Sequence, residues 1–400
     1  MHIAMISYWS CPMAKLGVAT AGGMNVYVLN LANALGHMGH TVDIYTRVHE
    51  DEDDLSDALD EHVSVVHIPG RNDNLYDDMG DFAAQVAEES CKRRRKYDIL
   101  HAHYYYSGLV GLKMRAEMNL PLVITFHTLG VMKEKYAGVV DQRRIAAESA
   151  IIDAVDGIVA STELEEADLM EWHNVPPEKI SVIHPGVDHH LFKPYDQDEA
   201  RQVTELPPDE NILLFVGRID PIKGIHILID AFSRLLEQAS DGLRETKLLI
   251  IGGDPENEQF WKTPEGMRIG QEIQTKQLDD QVRLIGSRSH AQLAYYYAAA
   301  DLVVMPSAYE TFGFVALEAM ACGTCVIASR VGGLQYLVKD RVNGRLFDAG
   351  NSDELCAIMR ELLLDRRQRE RLGKQAAASS YQYCWPKQAE RMLAAYRRFL

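Results

Sequence analysis

Short runs rich in Val, Ile and Leu recur along this chain, and between successive runs there is room for one helix. Residues 2–7, 41–46, 63–68, 99–103, 122–126, 157–161 and 180–183 read as strands, with helical segments near 26–38, 81–95 and 142–155. Strands and helices alternating at this length require parallel strands joined by helical crossovers, with ligands taken at the carboxyl ends of the strands. The pattern breaks at residues 185–194, bounded by Pro185-Gly186 and Pro194, and restarts at 211–218, 247–253, 282–286, 301–305 and 325–328. A chain of 400 residues also exceeds one ordinary core. The expected fold class is therefore α/β, with one parallel-sheet domain at 1–190 and a second at 195–380. An amphipathic helix at 385–400, after the breaker Pro386, can pack on either domain and so cross back to the first.

The most informative stretch is Met305 to Cys325, in which a helix lies between two buried strands. Thr311 is placed to cap that helix near Phe312-Gly313, and Cys322-Gly323 ends it. Glu310 then lies in the loop leaving a strand, and Glu318 two helical turns on, about 12 Å away along the axis. The amides of Gly313, Phe314 and Val315 open a helix, a position that favours an anion. Carboxylates suit hydroxyl groups and amides suit phosphate, so the ligand described is a sugar nucleotide. Taken alone, an E-x7-E pair is more often two solvated helix charges.

The first half offers a similar order, a strand, a glycine-bearing loop from Gly17 to Asn25 and a helix, but without G-x-G-x-x-G, which disfavours a nicotinamide enzyme. Later strand ends carry His101, His103, Tyr104, His127 and Thr128. The histidines could form a zinc site, although no further carboxylate or thiolate completes it, and His101 reads as structural. In the second half Arg218 and Lys223, five apart around a turn, can close on one diphosphate.

Composition removes several classes. The formal charge of −17 makes nucleic acid or anionic lipid a poor partner, and the cluster Lys92–Lys96 reads as a solvated helix end. No apolar run reaches the roughly 18 residues of a membrane span, and the N-terminal run is too short for a signal peptide, so a cytoplasmic protein is expected. Six irregularly spaced cysteines suggest no disulfide framework, and Cys322-Gly323-Thr324-Cys325 follows a helix where a redox motif would open one.

Assembled, these pieces resemble the retaining glycosyltransferases of the GT-B fold, glycosyl transferases group 1, over essentially the whole chain. The matching segments are Gly22-Gly23-Met24-Asn25, His101-Ala102-His103-Tyr104, His127-Thr128-Leu129, His184-Pro185-Gly186-Val187-Asp188, Gly217-Arg218 with Lys223-Gly224, Glu310-x7-Glu318 and Val331-Gly332-Gly333. Within the family the chain is most similar to the inositol-phosphate N-acetylglucosaminyltransferase and sucrose-phosphate synthase branch. The resemblance implies two Rossmann-like doubly wound domains facing each other across a cleft, acceptor-binding at 1–190 and nucleotide-sugar-binding at 195–380. It implies that Arg218 and Lys223 hold a UDP-sugar's diphosphate, Glu318 the ribose, Glu310 the transferred sugar, and Gly23 the loop closing over phosphate and sugar. His127 would lie beside the sugar, making Glu310, His127, Arg218 and Lys223 the catalytic set, with Gly313, Phe314 and Val315 on the donor side. Asn25, Tyr104, Thr128 and Arg144 would bind the acceptor, the last three its phosphate. That branch places a lysine after the third strand, whereas the loop here runs Gly70 to Asp78 with Arg71 as its basic residue.

The expected reaction moves a glucosyl-type unit, glucose or N-acetylglucosamine, to a small hydroxylated acceptor of inositol phosphate or fructose 6-phosphate type. No tightly bound cofactor and no divalent metal are implied, because the cations replace the metal. Neither a nucleic-acid partner nor a membrane span is expected, and a homodimer is admitted. The rival readings are a transferase acting on a lipid-linked or polysaccharide acceptor at the membrane surface, a same-fold UDP-sugar epimerase or phosphorylase, and a non-enzymatic sugar-binding protein.

Overall fold

The computed structural model describes residues 1–14, 22–48, 56–70, 74–138, 140–238 and 243–400. Arg71 and the loop residues 17–21 fall outside the described residues. Contacts divide the chain into two units, one holding the described residues up to Gly186 together with Trp385–Leu400, the other Val187–Cys384.

The first unit contains β1 (His2–Ile6), β2 (Thr41–Arg47), β3 (Ser56–Ala58), β4 (Val63–Ile68), β5 (Ile99–His103), β6 (Leu122–Thr125), β7 (Gly157–Ala160) and β8 (Ile180–Val182). Their order is β3-β4-β2-β1-β5-β6-β7-β8, and every pairing is parallel except β3 with β4. Strand β3 lies in the acidic stretch between β2 and β4. Its three residues pair through backbone bonds at a sheet edge, which needs no apolar signature. The helix expected near 81–95 starts earlier, spanning Leu75–Lys92, because the Asn74 side chain accepts from Tyr76 N at 3.0 Å. Helix Trp385–Phe399 packs on helix Gly23–His37, with Pro386 in its first turn, where a missing N–H matters least. A Cβ at Gly157 would lie 2.4 Å from the Phe399 ring, so that strand needs glycine to receive the helix.

The second unit contains β9 (Asn211–Val216), β10 (Thr246–Ile251), β11 (Val282–Leu284), β12 (Leu302–Met305), β13 (Cys325–Ser329) and β14 (Arg345–Phe347), parallel throughout in the order β11-β10-β9-β12-β13-β14. Leu213, Phe215, Leu248, Ile250 and Val304 bury one sheet face with helix Ile225–Glu237. Ile212, Leu214, Leu249, Ile251 and Val303 bury the other with helices His290–Ala299 and Phe314–Ala321. Sequence reading had not assigned β14 or the helices Ser352–Leu364 and Arg366–Ser380.

In each sheet the strand order reverses once, between β1 and β5 and between β9 and β12. Crossovers leave such a point toward opposite faces, so a crevice opens beyond the carboxyl ends of those two strands.

Candidate functional site

In the second unit the chain leaves β9 through Gly217 and Arg218 into a single turn, Pro221–Lys223, capped by Asp220, whose carboxylate accepts from Ile222 N at 3.0 Å. Gly224 follows with φ 67°, and a Cβ there would sit 2.1 Å from the carbonyl of Pro306, just past β12. Glycine thus lets the two loops at the reversal point touch. Across that contact Lys223 Nζ meets Glu310 Oε2 at 2.5 Å. The Glu310 carbonyl accepts from Gly333 N at 2.9 Å, and a Cβ on Gly332 would lie 1.8 Å from that oxygen. Lys223-Gly224, Glu310 and Val331-Gly332-Gly333 therefore form one physical unit. Arg218 is half-exposed, 3.8 Å from Asp220.

Helix Phe314–Ala321 begins three residues after Thr311, which does not cap it. Gly313 serves instead, at φ 105°, a conformation in which a side chain is strained. The first-turn amides, including those of Phe314 and Val315, have no partner within the helix. Glu318 is buried, and Tyr297 Oη donates to its Oε2 at 2.8 Å while His290 Nε2 stands 3.8 Å from Oε1. Burial pushes this carboxyl up to about 7 against the Tyr297 hydrogen bond. Among the described residues the two glutamates share no partner: Lys223 holds Glu310 and Tyr297 holds Glu318.

In the first unit His101 is fully buried, its Nδ1 2.6 Å from Tyr396 Oη and its Nε2 2.9 Å from Thr125 Oγ1. With both nitrogens engaged it is a structural pin between β5, β6 and the terminal helix. His103 Nδ1 lies 3.2 Å from His127 Nε2. His127 has φ 62°, and Tyr27 stands edge-on to it at 5.0 Å. Burial holds His127 down at about 3 and His103 well below the ordinary histidine range. Among the described residues no group of three His, Cys, Asp or Glu could hold a metal ion.

Tyr104, Thr128 and Arg144 come together. Arg144 is buried, donating from Nε to Glu148 Oε1 at 2.6 Å and from Nη2 to Thr128 O at 2.5 Å and Oγ1 at 2.9 Å. Its guanidinium carbon sits 5.0 Å from the Tyr104 ring centre, and Tyr104 itself has φ 74°. Glu148 is fully buried and also accepts from Gly130 N at 2.7 Å. Nη1 of Arg144 makes no hydrogen bond among the described residues, leaving one edge of a held cation for an anion. Asn25 stands apart from this group: its Nδ2 donates to Ser10 Oγ at 2.8 Å and Cys11 O at 2.6 Å, and its Oδ1 accepts from Gly22 N at 3.0 Å. Its amide therefore fixes the loop after β1 to the start of the helix at Gly23.

Sequence reading missed Tyr297, His290 and Glu148. The available signals were a tyrosine inside an apolar helix, whose hydroxyl requires a partner, and a glutamate four residues after an arginine.

Two doubly wound parallel-sheet units, with cations, a helix N-terminus and carboxylates at the reversal point of the second, define a glycosyltransferase of the GT-B fold. Residues 196–379 match the family profile described as glycosyl transferases group 1, and residues 21–191 match glycosyltransferase family 4. The chain belongs to the glycosyl transferases group 1. D-inositol 3-phosphate glycosyltransferase 1 of Catenulispora acidiphila is 35% identical, over 99% of this chain and 95% of its own. Sucrose-phosphate synthase (tll1590) from Thermosynechococcus elongatus superposes with a TM-score of 0.88 at 34% identity, covering 99% of this chain and 98% of its own. Anabaena Alr3699/HepE, solved in complex with UDP and glucose, shares the fold with a TM-score of 0.78 at 21% identity and full coverage of both chains.

Proposed function

We propose that this enzyme transfers a glucosyl-type unit from a UDP-sugar to a small phosphorylated polyol or sugar, with retention of the anomeric configuration. The observation that carries the reading is the Lys223–Glu310 pair at the strand-order reversal of the second unit, close in sequence to the start of helix Phe314–Ala321. Lys223 and Arg218 would neutralise the diphosphate, with the first-turn amides of Gly313, Phe314 and Val315 on the same ligand. Glu310 would hold hydroxyls of the transferred sugar and Glu318 those of the ribose. Gly23 and His127 are assigned to the phosphate and sugar, and Asn25 to the acceptor through the loop it fixes.

For the acceptor, Arg144, Thr128 and Tyr104 form a phosphate subsite, supported by the open Nη1 edge of Arg144. Two relatives are named for phosphorylated compounds, D-inositol 3-phosphate and sucrose phosphate. The bond from the anomeric carbon to the β-phosphate oxygen breaks, the acceptor oxygen bonds on the same face, and the departing phosphate oxygen takes the acceptor's proton. No residue need act as general base, and the cations replace a metal. Product NMR tests this directly: an α-linked product from an α-UDP-sugar, formed at the same rate with EDTA present, supports retention without metal. An inverted product or loss of activity in EDTA would remove the corresponding part of the proposal.

A further inference from the structure

His103 and His127 share one hydrogen bond, Nδ1 of the first to Nε2 of the second at 3.2 Å. Both rings are neutral at physiological pH because burial disfavours the imidazolium, so each carries one N–H and one lone pair. Two arrangements satisfy the bond. Either His103 donates from Nδ1 and leaves a bare lone pair on Nε2, or it accepts at Nδ1 and Nε2 carries the proton.

The surroundings of His103 separate the two. Its Nε2 is buried with no hydrogen-bond partner among the described residues, and its ring packs against those of His101 at 4.2 Å and Tyr27 at 5.7 Å between centres. An orphaned buried N–H is rarer than an unsatisfied acceptor, so the proton sits on Nδ1 and points at His127. His127 must then accept at Nε2 and carry its own proton on Nδ1. That nitrogen makes no hydrogen bond among the described residues, and the residue is only partly buried.

We infer that His103 is a positioning residue that fixes the tautomer of His127, so that His127 offers Nδ1–H to the substrate as a hydrogen-bond donor. This rests on the proposed placement of His127 beside the transferred sugar. The group it would recognise is an oxygen lone pair, of a sugar hydroxyl or a phosphate. His127 is also closed as a general base: its one lone pair is occupied by His103, and the nitrogen facing outward already carries a proton.

Long-range proton–nitrogen NMR of the full chain labelled in histidine nitrogen reads the tautomer without substrate. The wild type is expected to show His127 protonated at Nδ1. His103→Asn keeps a donor near the position of Nδ1, and should keep that tautomer with kcat within about threefold of wild type. His103→Phe keeps a ring without the donor, and should release His127 to the Nε2–H form with kcat at least about tenfold lower. Protonation at Nε2 in the wild type, an unchanged tautomer in His103→Phe, or equal activity losses in the two variants would each overturn the inference. Because the spectra need no substrate, failure to turn over a UDP-sugar would tell against the proposed function and leave the tautomer to be judged separately.

Discussion

Glu318 shows how a single residue can couple acidity to binding. Its carboxyl titrates at about 7 because burial disfavours its charge, whereas in the proposed role the ionised form is the stronger acceptor for ribose hydroxyls. Its folded pKa lies above its unfolded one, so its stability contribution is fully present below the unfolded value and is lost as pH rises through about 7. Nucleotide affinity should run the opposite way, weakening as pH falls below 7, by up to about tenfold per unit. Calorimetric titration with UDP at pH 8 and 6 checks this against Glu318→Gln, in which that part of the pH dependence should vanish. Identical slopes in the two proteins would contradict it. Tyr297→Phe removes the donor that favours the ionised form, so the same transition should move to higher pH. In the proposed mechanism Lys223 carries the larger catalytic demand: Lys223→Ala should lower kcat by about 10²-fold, the scale of losing one charge-stabilising donor, and a variant within threefold of wild type would exclude that role.

At the scale of elements, the loops work because glycine lets backbone meet backbone. Gly332→Ala would place a methyl 1.8 Å from the Glu310 carbonyl at a position with φ 43°, so the loop must shift and Glu310 with it. The expected result is a fall in Tm on the order of 5 °C, together with a loss of turnover larger than the loss of UDP affinity. A variant with wild-type Tm and turnover would contradict the contact. In the first unit Glu148→Ala leaves the buried Arg144 guanidinium without its closest carboxylate, which should destabilise by about 3–5 kcal/mol, read by denaturant unfolding.

These same elements explain how far the sequence could be read. Apolar runs end abruptly at polar residues, so the strands and the residues leaving them, such as Lys223 beyond β9, Glu310 beyond β12 and Thr128 beyond β6, could be placed without coordinates. Strands β3 and β14 could not, because Ser56-Asp57-Ala58 has no apolar run and Arg345-Leu346-Phe347 offers only two apolar residues. The start of the helix that carries Glu318 is legible to within two residues, but its cap is not, since Thr311 has the right chemistry while the left-handed turn at Gly313 supplies the geometry. Tyr297 and Glu148 act on the site from other elements, 21 residues from Glu318 and 18 from Gly130, and such pairings appear only once the helices are packed.

On the scale of the whole molecule, the proposed chemistry is divided between units of similar topology. The second unit places Lys223, Glu310 and a helix N-terminus at its reversal point, and the first brings Arg144, from helix Gln142–Ala154, to Thr128 and Tyr104 beyond the ends of adjacent strands. With a net charge of −17, the chain as a whole repels both a UDP-sugar and a phosphorylated acceptor. The proposed binding therefore rests on these few held cations. We propose transfer from a UDP-sugar to a phosphorylated small acceptor. It is tested most directly by following UDP release from UDP-glucose and UDP-N-acetylglucosamine with inositol phosphate, fructose 6-phosphate and their unphosphorylated counterparts. Release accelerated by a phosphorylated acceptor, and not by its unphosphorylated counterpart, is the expected result. Equal release with both members of each pair, or none with any, would contradict it.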